Sequence, residues 1–185
     1  NHIRRAIAMG GDAGVHVQGP TGLNCDSVAI ATLIAAAIKK LGPVDLVICG
    51  KASSDTDAGQ THLILAEMLG ISAVSTIKAV REIDAESIVV DRMGEDAIQR
   101  IKARFPLLIG VSNEINKPRA PALKGVMMAK KVVVPSWSTA DLGIDDVTPG
   151  VKIKKMYMKP VVTVRTMMIA DGRALAERLV EEGVI

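Results

Sequence analysis

The sequence predicts an α/β fold whose centre is a parallel sheet. Strand-like and helix-like segments alternate over the first part of its 185 residues, an order typical of parallel α/β proteins. The runs VDLVICG (44–50) and FPLLIGV (105–111) are continuously apolar, as in strands that are buried on both faces. Residues 1–112 are therefore predicted to form an α/β domain. Residues 113–185, where periodicity is lost and most of the prolines fall, are predicted to form an extended C-terminal arm.

The N-terminal segment predicts the end of a helix and then a short strand. Small and apolar residues at helical spacing stop at Gly10 and Gly11, and Val15–Val17 follows as the strand. We expect an earlier strand and the start of this helix to lie before Asn1.

The next elements complete the predicted parallel layer. Residues 24–41 predict a helix, with Asn24 and Asp26 able to cap its start. After the strand at 44–50, the segment THLILAEMLG predicts a second helix that ends at Gly70, and ISAVSTIKAV predicts another buried strand.

The pattern changes after residue 78. Period-2 stretches around residues 83–86 and 93–96 predict antiparallel strands that are joined by tight turns. Within the arm, residues 123–131 predict a short helix, and a final helix begins at the N-cap Asp171.

Composition excludes several classes of function. Aromatic residues make up 2% of the chain and the net charge is +3 from scattered cations, which argues against a nucleic-acid partner. Two cysteines, Cys25 and Cys49, without a CxxC motif or a histidine cluster, predict neither a metal site nor a disulfide framework. No apolar run approaches the roughly 20 residues needed to cross a membrane. We therefore expect a soluble protein in a reducing compartment, without membrane insertion.

The polar turn after VDLVICG is the sharpest candidate binding site. Ligands of open α/β sheets lie at the carboxyl ends of the strands, where loops meet helix N-termini. Free N–H groups and the positive end of the helix dipole suit an anion such as phosphate there. The candidate binding residues are Gly50, Lys51, Ala52, Ser53, Ser54, Asp55, Thr56, Asp57, Ala58, Gly59, Gln60 and Thr61.

The two acidic residues of this turn fit an anion site poorly. Asp57 could instead cap the following helix. Asp55 and Asp57 could also accept hydrogen bonds from a ribose or bind through a cation. Neither a Walker motif nor a Rossmann glycine motif is present.

Other reactive side chains point to structure rather than catalysis. Cys49 ends an apolar strand and is expected in the core, His62 is interpreted as a surface residue of the second helix, and Glu95–Asp96 is expected in a solvent-facing turn. No nucleophile with a nearby base, metal set or covalent cofactor lysine emerges. No catalytic residue is predicted, and we expect the chain alone not to be an enzyme.

Three stretches together resemble one family. The run VDLVICGKASSDTDAGQTHLILAEMLG is similar to the nucleotide-binding segment of electron-transfer flavoprotein beta subunits. VDRMGEDAIQRIKARFPLLIGVS resembles the signature of that family, and INKPRAPALKGVMMAKK resembles its N-x-P-R segment with the following loop. The resemblance extends over nearly the whole chain in one order.

This resemblance implies a domain like the adenine nucleotide alpha hydrolases and a heterodimer with an alpha subunit that carries FAD. It implies that Gly50–Thr61 holds AMP and that the C-terminal arm embraces the partner. Leu123 would anchor an acyl-CoA-type dehydrogenase of fatty acid oxidation, and electrons would pass to a membrane quinone reductase or another acceptor. The compartment would be the cytoplasm, or the mitochondrial matrix in a eukaryote.

Two alternatives remain open. Electron-bifurcating members of the family bind a second FAD in this subunit and oxidise NADH. Here His62 stands where glycine is common, and Ile30 replaces a frequent hydroxyl residue, which favours AMP over the second FAD. A stand-alone nucleotide sensor without a redox role is the other alternative.

Overall fold

The fold is described from a computed structural model. The chain forms two compact units, residues 1–153 and residues 154–185. The described residues are 2–19, 25–145, 147–151, 153–158, 160 and 166–185.

The helices begin and end close to the predicted positions. The carboxylate of Asp26 caps the second helix by accepting from the N–H of Ala29 at 2.9 Å, as predicted, while Asn24 lies outside the described residues. Gly70, with φ +68°, ends the third helix in the left-handed conformation that glycine adopts most readily. The helices are α1 (His2–Ala8), α2 (Ser27–Leu41), α3 (Thr61–Leu69), α4 (Leu123–Lys131) and α5 (Gly172–Glu181), with a 3-10 turn at Ala140–Leu142.

The main sheet has a parallel half and an antiparallel half. Its strands are β2 (Leu46–Gly50), β3 (Ser72–Ile83), β4 (Ser87–Met93), β5 (Ile98–Arg104) and β6 (Leu107–Val111). The strand order is β2-β6-β3-β4-β5, and β2, β6 and β3 run parallel, whereas β3, β4 and β5 are antiparallel neighbours. The predicted α/β fold is confirmed, and both predicted hairpin turns lie between antiparallel strands.

The first predicted strand does not join this sheet. Strand β1 (His16–Val17) pairs in parallel with β7 (Ser136–Trp137), in a separate two-stranded sheet. The alternating order of elements therefore predicted one strand too many for the main sheet. Strand β1 has only two residues, and it pairs with a segment far along the chain.

Strand β3 belongs to both halves of the main sheet, and a bulge marks the change. Its pairing with β6 shifts between Val74 and Ile77, where three residue steps on β3 match two on β6. Thr76, inside this bulge, has φ +62°, a left-handed conformation that costs energy for a β-branched residue.

Two apolar clusters lie on the faces of the sheet. Leu107 and Ile109 belong to a cluster with Val74, Ile77, Ile88 and Val90, whereas Leu108 packs with α2 and α3. This alternation follows from the two-residue period of a strand. It explains why LLIGV is continuously apolar, since β6 is buried on both faces. Strand β2 lies instead at the edge of the sheet with Ile48 exposed, so the prediction that VDLVICG is buried on both faces is wrong.

Elements between residues 113 and 153 belong to the first unit and contact its N-terminal part. α4 packs against α1, and β7 pairs with β1. The second unit, described by itself, contains α5, whose start is capped by Asp171 through the N–H groups of Arg173 and Ala174. The compact units thus divide after residue 153, and the boundary after residue 112, drawn for an arm that embraces a partner, stays a prediction.

Candidate functional site

The candidate loop lies at the carboxyl edge of the parallel half of the sheet. β2 ends at Gly50 and α3 begins at Thr61, so residues 50–61 form one continuous connection. The N–H of Lys51 donates to the carbonyl oxygen of Val111 at the end of β6, at 2.9 Å. This bond holds the start of the loop beside the neighbouring strand, at the edge where α/β sheets bind ligands.

Hydrogen bonds inside the loop arrange its hydroxyl and carboxylate groups. Ser53 Oγ and Thr56 Oγ1 lie 2.9 Å apart, and the N–H of Asp57 donates to the carbonyl oxygen of Ser53 at 2.9 Å. Asp55 Oδ1 accepts from the N–H of Thr56 at 2.9 Å. Hydrogen bonds from the Ser53 hydroxyl and from backbone N–H groups lower the pKa of Asp55, so this carboxyl is ionised at neutral pH.

The start of α3 has no side-chain cap. Its N-cap residue is Gln60, whose side chain makes no cap hydrogen bond. Asp57 stands three residues earlier with φ +44°, so the interpretation of Asp57 as the helix cap is wrong. Because the first N–H groups of a helix need acceptors from outside it, an uncapped start leaves donors that a phosphate oxygen can use.

The loop is open to solvent. Residues 51–58 and Gln60 are exposed, and a Cβ at Gly50 would meet no atom within 4 Å. N–H groups at the helix start can donate to a phosphate, and the carboxylates of Asp55 and Asp57 can accept from ribose hydroxyls. The residues therefore fit a nucleotide better than a bare anion.

His62 is buried, contrary to the interpretation of this residue as part of the helix surface. Its side chain is 2% exposed, and Nε2 lies 2.6 Å from Ser75 Oγ on β3. Desolvation lowers the pKa of His62, so the imidazole is neutral at pH 7. The sequence signal for this burial is Gly110, a glycine inside an apolar strand. The signal can be interpreted only once β6 is known to pack against α3.

Leu123 is the first residue of α4 and is 78% exposed. It lies at an open groove of about 400 Å³. The groove is lined by apolar and cationic side chains, namely Leu123, Lys124, Met127, Met128 and Lys131. Large apolar side chains exposed together along one helix are typical of a docking surface, and thioethers adapt to different partners. The docking role of Leu123 stays a prediction.

Two close contacts hold α4 and the segment before it against the C-terminal end of α1. A Cβ at Gly125 would lie 2.6 Å from the carbonyl oxygen of Ala8, so only glycine permits this approach. Arg119 Nη2 donates to the carbonyl oxygen of Met9 at 2.9 Å. Ala129 is buried on the same side of α4. The Asn-x-Pro-Arg segment therefore fixes the position of the surface that follows it.

The other reactive groups are structural. Cys49 is half-buried against the cluster of α2 and α3, and burial raises the pKa of its thiol, which disfavours the nucleophilic thiolate. Glu95 and Asp96 lie exposed in the turn between β4 and β5, as predicted. Among the described residues, no group of three or more His, Cys, Asp or Glu side chains could hold a metal ion.

The sheet, its helices and the loop at the strand ends define a Rossmann-like α/β protein. Residues 1–142 match the family model of the electron transfer flavoprotein domain. Because this match covers most of the chain, the chain belongs to the electron transfer flavoprotein family, whose members are electron carriers rather than enzymes. In the part of the chain that the structure describes, no helix has the length and apolar character that a membrane span requires.

Proposed function

We propose that this chain is the beta subunit of a heterodimeric electron-transfer flavoprotein. The observation that carries the proposal is the exposed loop 50–61 in a chain of this family, with an uncapped helix start at the strand ends. Catalytic residues are not needed for this role, because the redox chemistry belongs to the flavin, which we assign to the alpha subunit.

The loop would hold AMP. The phosphate would accept from N–H groups at the start of α3, where Gln60 provides no cap, and Lys51 would add a positive charge. The ionised Asp55 and the neighbouring Asp57 would accept from ribose hydroxyls. A nucleotide therefore gives both acidic residues a hydrogen-bonding role, because it carries ribose hydroxyls that a free phosphate lacks.

The surface of α4 would receive an acyl-CoA-type dehydrogenase. Leu123, Met127 and Met128 supply exposed apolar area, and Lys124 and Lys131 at the rim suit an acidic partner surface. A membrane quinone reductase or another acceptor would take the electrons onward. The dehydrogenase that donates electrons would therefore contact α4, at residues separate from the nucleotide loop.

The nucleotide content of the complex tests the proposal. The chain is co-expressed with its alpha partner, the complex is denatured, and the released nucleotides are quantified by chromatography. One AMP and one FAD per heterodimer are expected. Two FAD and no AMP would instead assign the second flavin to this chain and favour an electron-bifurcating function with NADH. Failure to form a flavin-containing heterodimer would contradict the proposal and favour a stand-alone nucleotide sensor.

A further inference from the structure

His62 is a buried polar residue directly behind the candidate loop. It is the second residue of α3, next to Thr61, the last residue of the loop. Its ring crosses to the sheet, where Nε2 meets Ser75 Oγ at 2.6 Å. Its Nδ1 is buried and has no hydrogen-bond partner among the described residues. A buried unpaired polar atom costs free energy, so packing alone does not explain a histidine here.

The strand opposite His62 is shaped to admit the ring. A Cβ at Gly110 would lie 2.6 Å from His62 Cδ2, 2.8 Å from Nε2 and 3.0 Å from Ser75 Oγ. Any larger residue at Gly110 would therefore displace both partners of the hydrogen bond. Glycine at position 110 of β6 thus leaves the space that the His62 ring and the Ser75 hydroxyl occupy.

Ser75 belongs to the strained part of β3. Ser75 and Thr76 form the bulge in the pairing of β3 with β6, and Thr76 has φ +62°. Directly after the bulge, the carbonyl oxygen of Ile77 accepts from the N–H and from the hydroxyl of Ser112, at 3.0 and 3.1 Å. The bulge therefore lies at the same carboxyl edge as the start of the loop, where Lys51 bonds to Val111.

We propose that His62 is a positioning residue for the nucleotide loop. Through Ser75 it fixes the first turn of α3 against the β3 bulge, and so sets where the N–H groups at the end of the loop point. This inference rests on the proposed AMP site. The hydrogen bond joins two neutral groups, because the buried imidazole is uncharged at pH 7. The pair therefore orients the start of α3 without placing a charge beside it.

Three variants of the full chain, each in complex with its alpha partner, test the proposal. His62→Leu replaces the imidazole by an apolar side chain that cannot form the hydrogen bond. Ser75→Ala removes only the hydroxyl group, and His62→Gln retains a polar group at position 62 for the bond to Ser75. The AMP dissociation constant is measured by titration calorimetry of AMP-depleted complexes. The urea midpoint is measured on the same samples.

We expect His62→Leu and Ser75→Ala to weaken AMP binding about tenfold, because either change releases the first turn of α3 and misplaces the N–H groups that face the phosphate. His62→Gln should bind AMP within about twofold of the wild type, a rescue that packing alone would not produce. Wild-type affinity in both His62→Leu and Ser75→Ala, with only the urea midpoint lowered, would overturn the inference. Absence of AMP binding by the wild-type complex would contradict the proposed function itself, so the two failures are distinguishable.

Discussion

Two buried polar residues distinguish the two halves of the sheet. In the antiparallel half, Asp91 on β4 accepts from Arg81 Nε on β3 at 2.7 Å and from Arg100 Nε on β5 at 2.9 Å. These hydrogen bonds hold the pKa of Asp91 at about 2. Against the parallel half, His62 of α3 contacts Ser75 on β3, and its Nδ1 has no hydrogen-bond partner among the described residues. Both carboxylate oxygens of Asp91 are therefore paired, whereas Nδ1 of His62 has no partner among the described residues.

The connecting segments repeat this difference. In the turn between β3 and β4, Asp84 accepts from the N–H groups of Glu86 and Ser87 and from the Ser87 hydroxyl, at 2.7 to 2.9 Å. The loop 50–61 of the parallel half ends instead at an uncapped helix. The comparison teaches that the antiparallel half pairs its polar groups within the chain, whereas the described part of the parallel half leaves polar atoms unpaired, as the proposed nucleotide site requires.

The largest expected effect on the free energy of unfolding comes from Gly110→Ala. Its Cβ would collide with the buried ring of His62 at 2.6 Å, and overpacking of this kind costs about 1–3 kcal/mol. Urea unfolding followed by circular dichroism measures the loss. Gly50→Ala is the matched control on the neighbouring strand, because its Cβ would meet nothing within 4 Å. Equal midpoints for the two variants would show that His62 is not confined as described.

A smaller, pH-dependent effect is expected for Asp91→Asn. The pKa of Asp91 is lowered from 3.8 to about 2 in the folded protein, so its charge stabilises the fold above pH 3.8 and that contribution disappears as the pH falls towards 2. The urea midpoint of the variant should lie below that of the wild type at pH 7, and the two should converge between pH 4 and 2.

The control for Asp91→Asn is Asp96→Asn in the exposed turn between β4 and β5. It should leave the midpoint unchanged at pH 7. A constant gap between Asp91→Asn and the wild type down to pH 2 would assign the loss to packing rather than to the charge.

The smallest effect on unfolding is expected for Leu123→Ala, because this side chain is 78% exposed. Electron transfer from the dehydrogenase should nevertheless slow by about tenfold, as for a central docking residue, while AMP content stays the same. Stopped-flow reduction of the complex by the reduced dehydrogenase measures the rate. Val133→Ala, exposed beyond α4 and outside the groove, is the control. Equal rates for Leu123→Ala and Val133→Ala would refute the docking role.

Local patterns predicted most elements of the first unit. The Asp26 cap, the helix end at Gly70 and the helix at Leu123–Lys131 each depend on residues close in sequence. The strand β6 was also predictable, because burial on both faces requires a continuous apolar run. The order of the strands was not, since the place of β6 between β2 and β3 depends on packing across the whole sheet.

The candidate site shows the same division. The sequence located the loop between β2 and α3, because a strand end, hydroxyl residues and a helix start are local signals. The sequence offered Asp57 as an alternative cap of α3 and placed His62 on the helix surface, and the structure contradicts both interpretations. The burial of His62 was not predictable because it depends on how α3 meets β6 and β3, which are distant in the chain.

By itself the sequence determined the class of fold, the span of the loop and the resemblance to electron-transfer flavoproteins. Periodicity, caps and turns act over a few residues, so they can be read without coordinates. Only the tertiary structure decided the order of the strands, the bulge that joins the two halves of the sheet, and the three-residue contact of His62, Ser75 and Gly110. These features join residues that are distant in the chain, and such contacts form when apolar surfaces pack together.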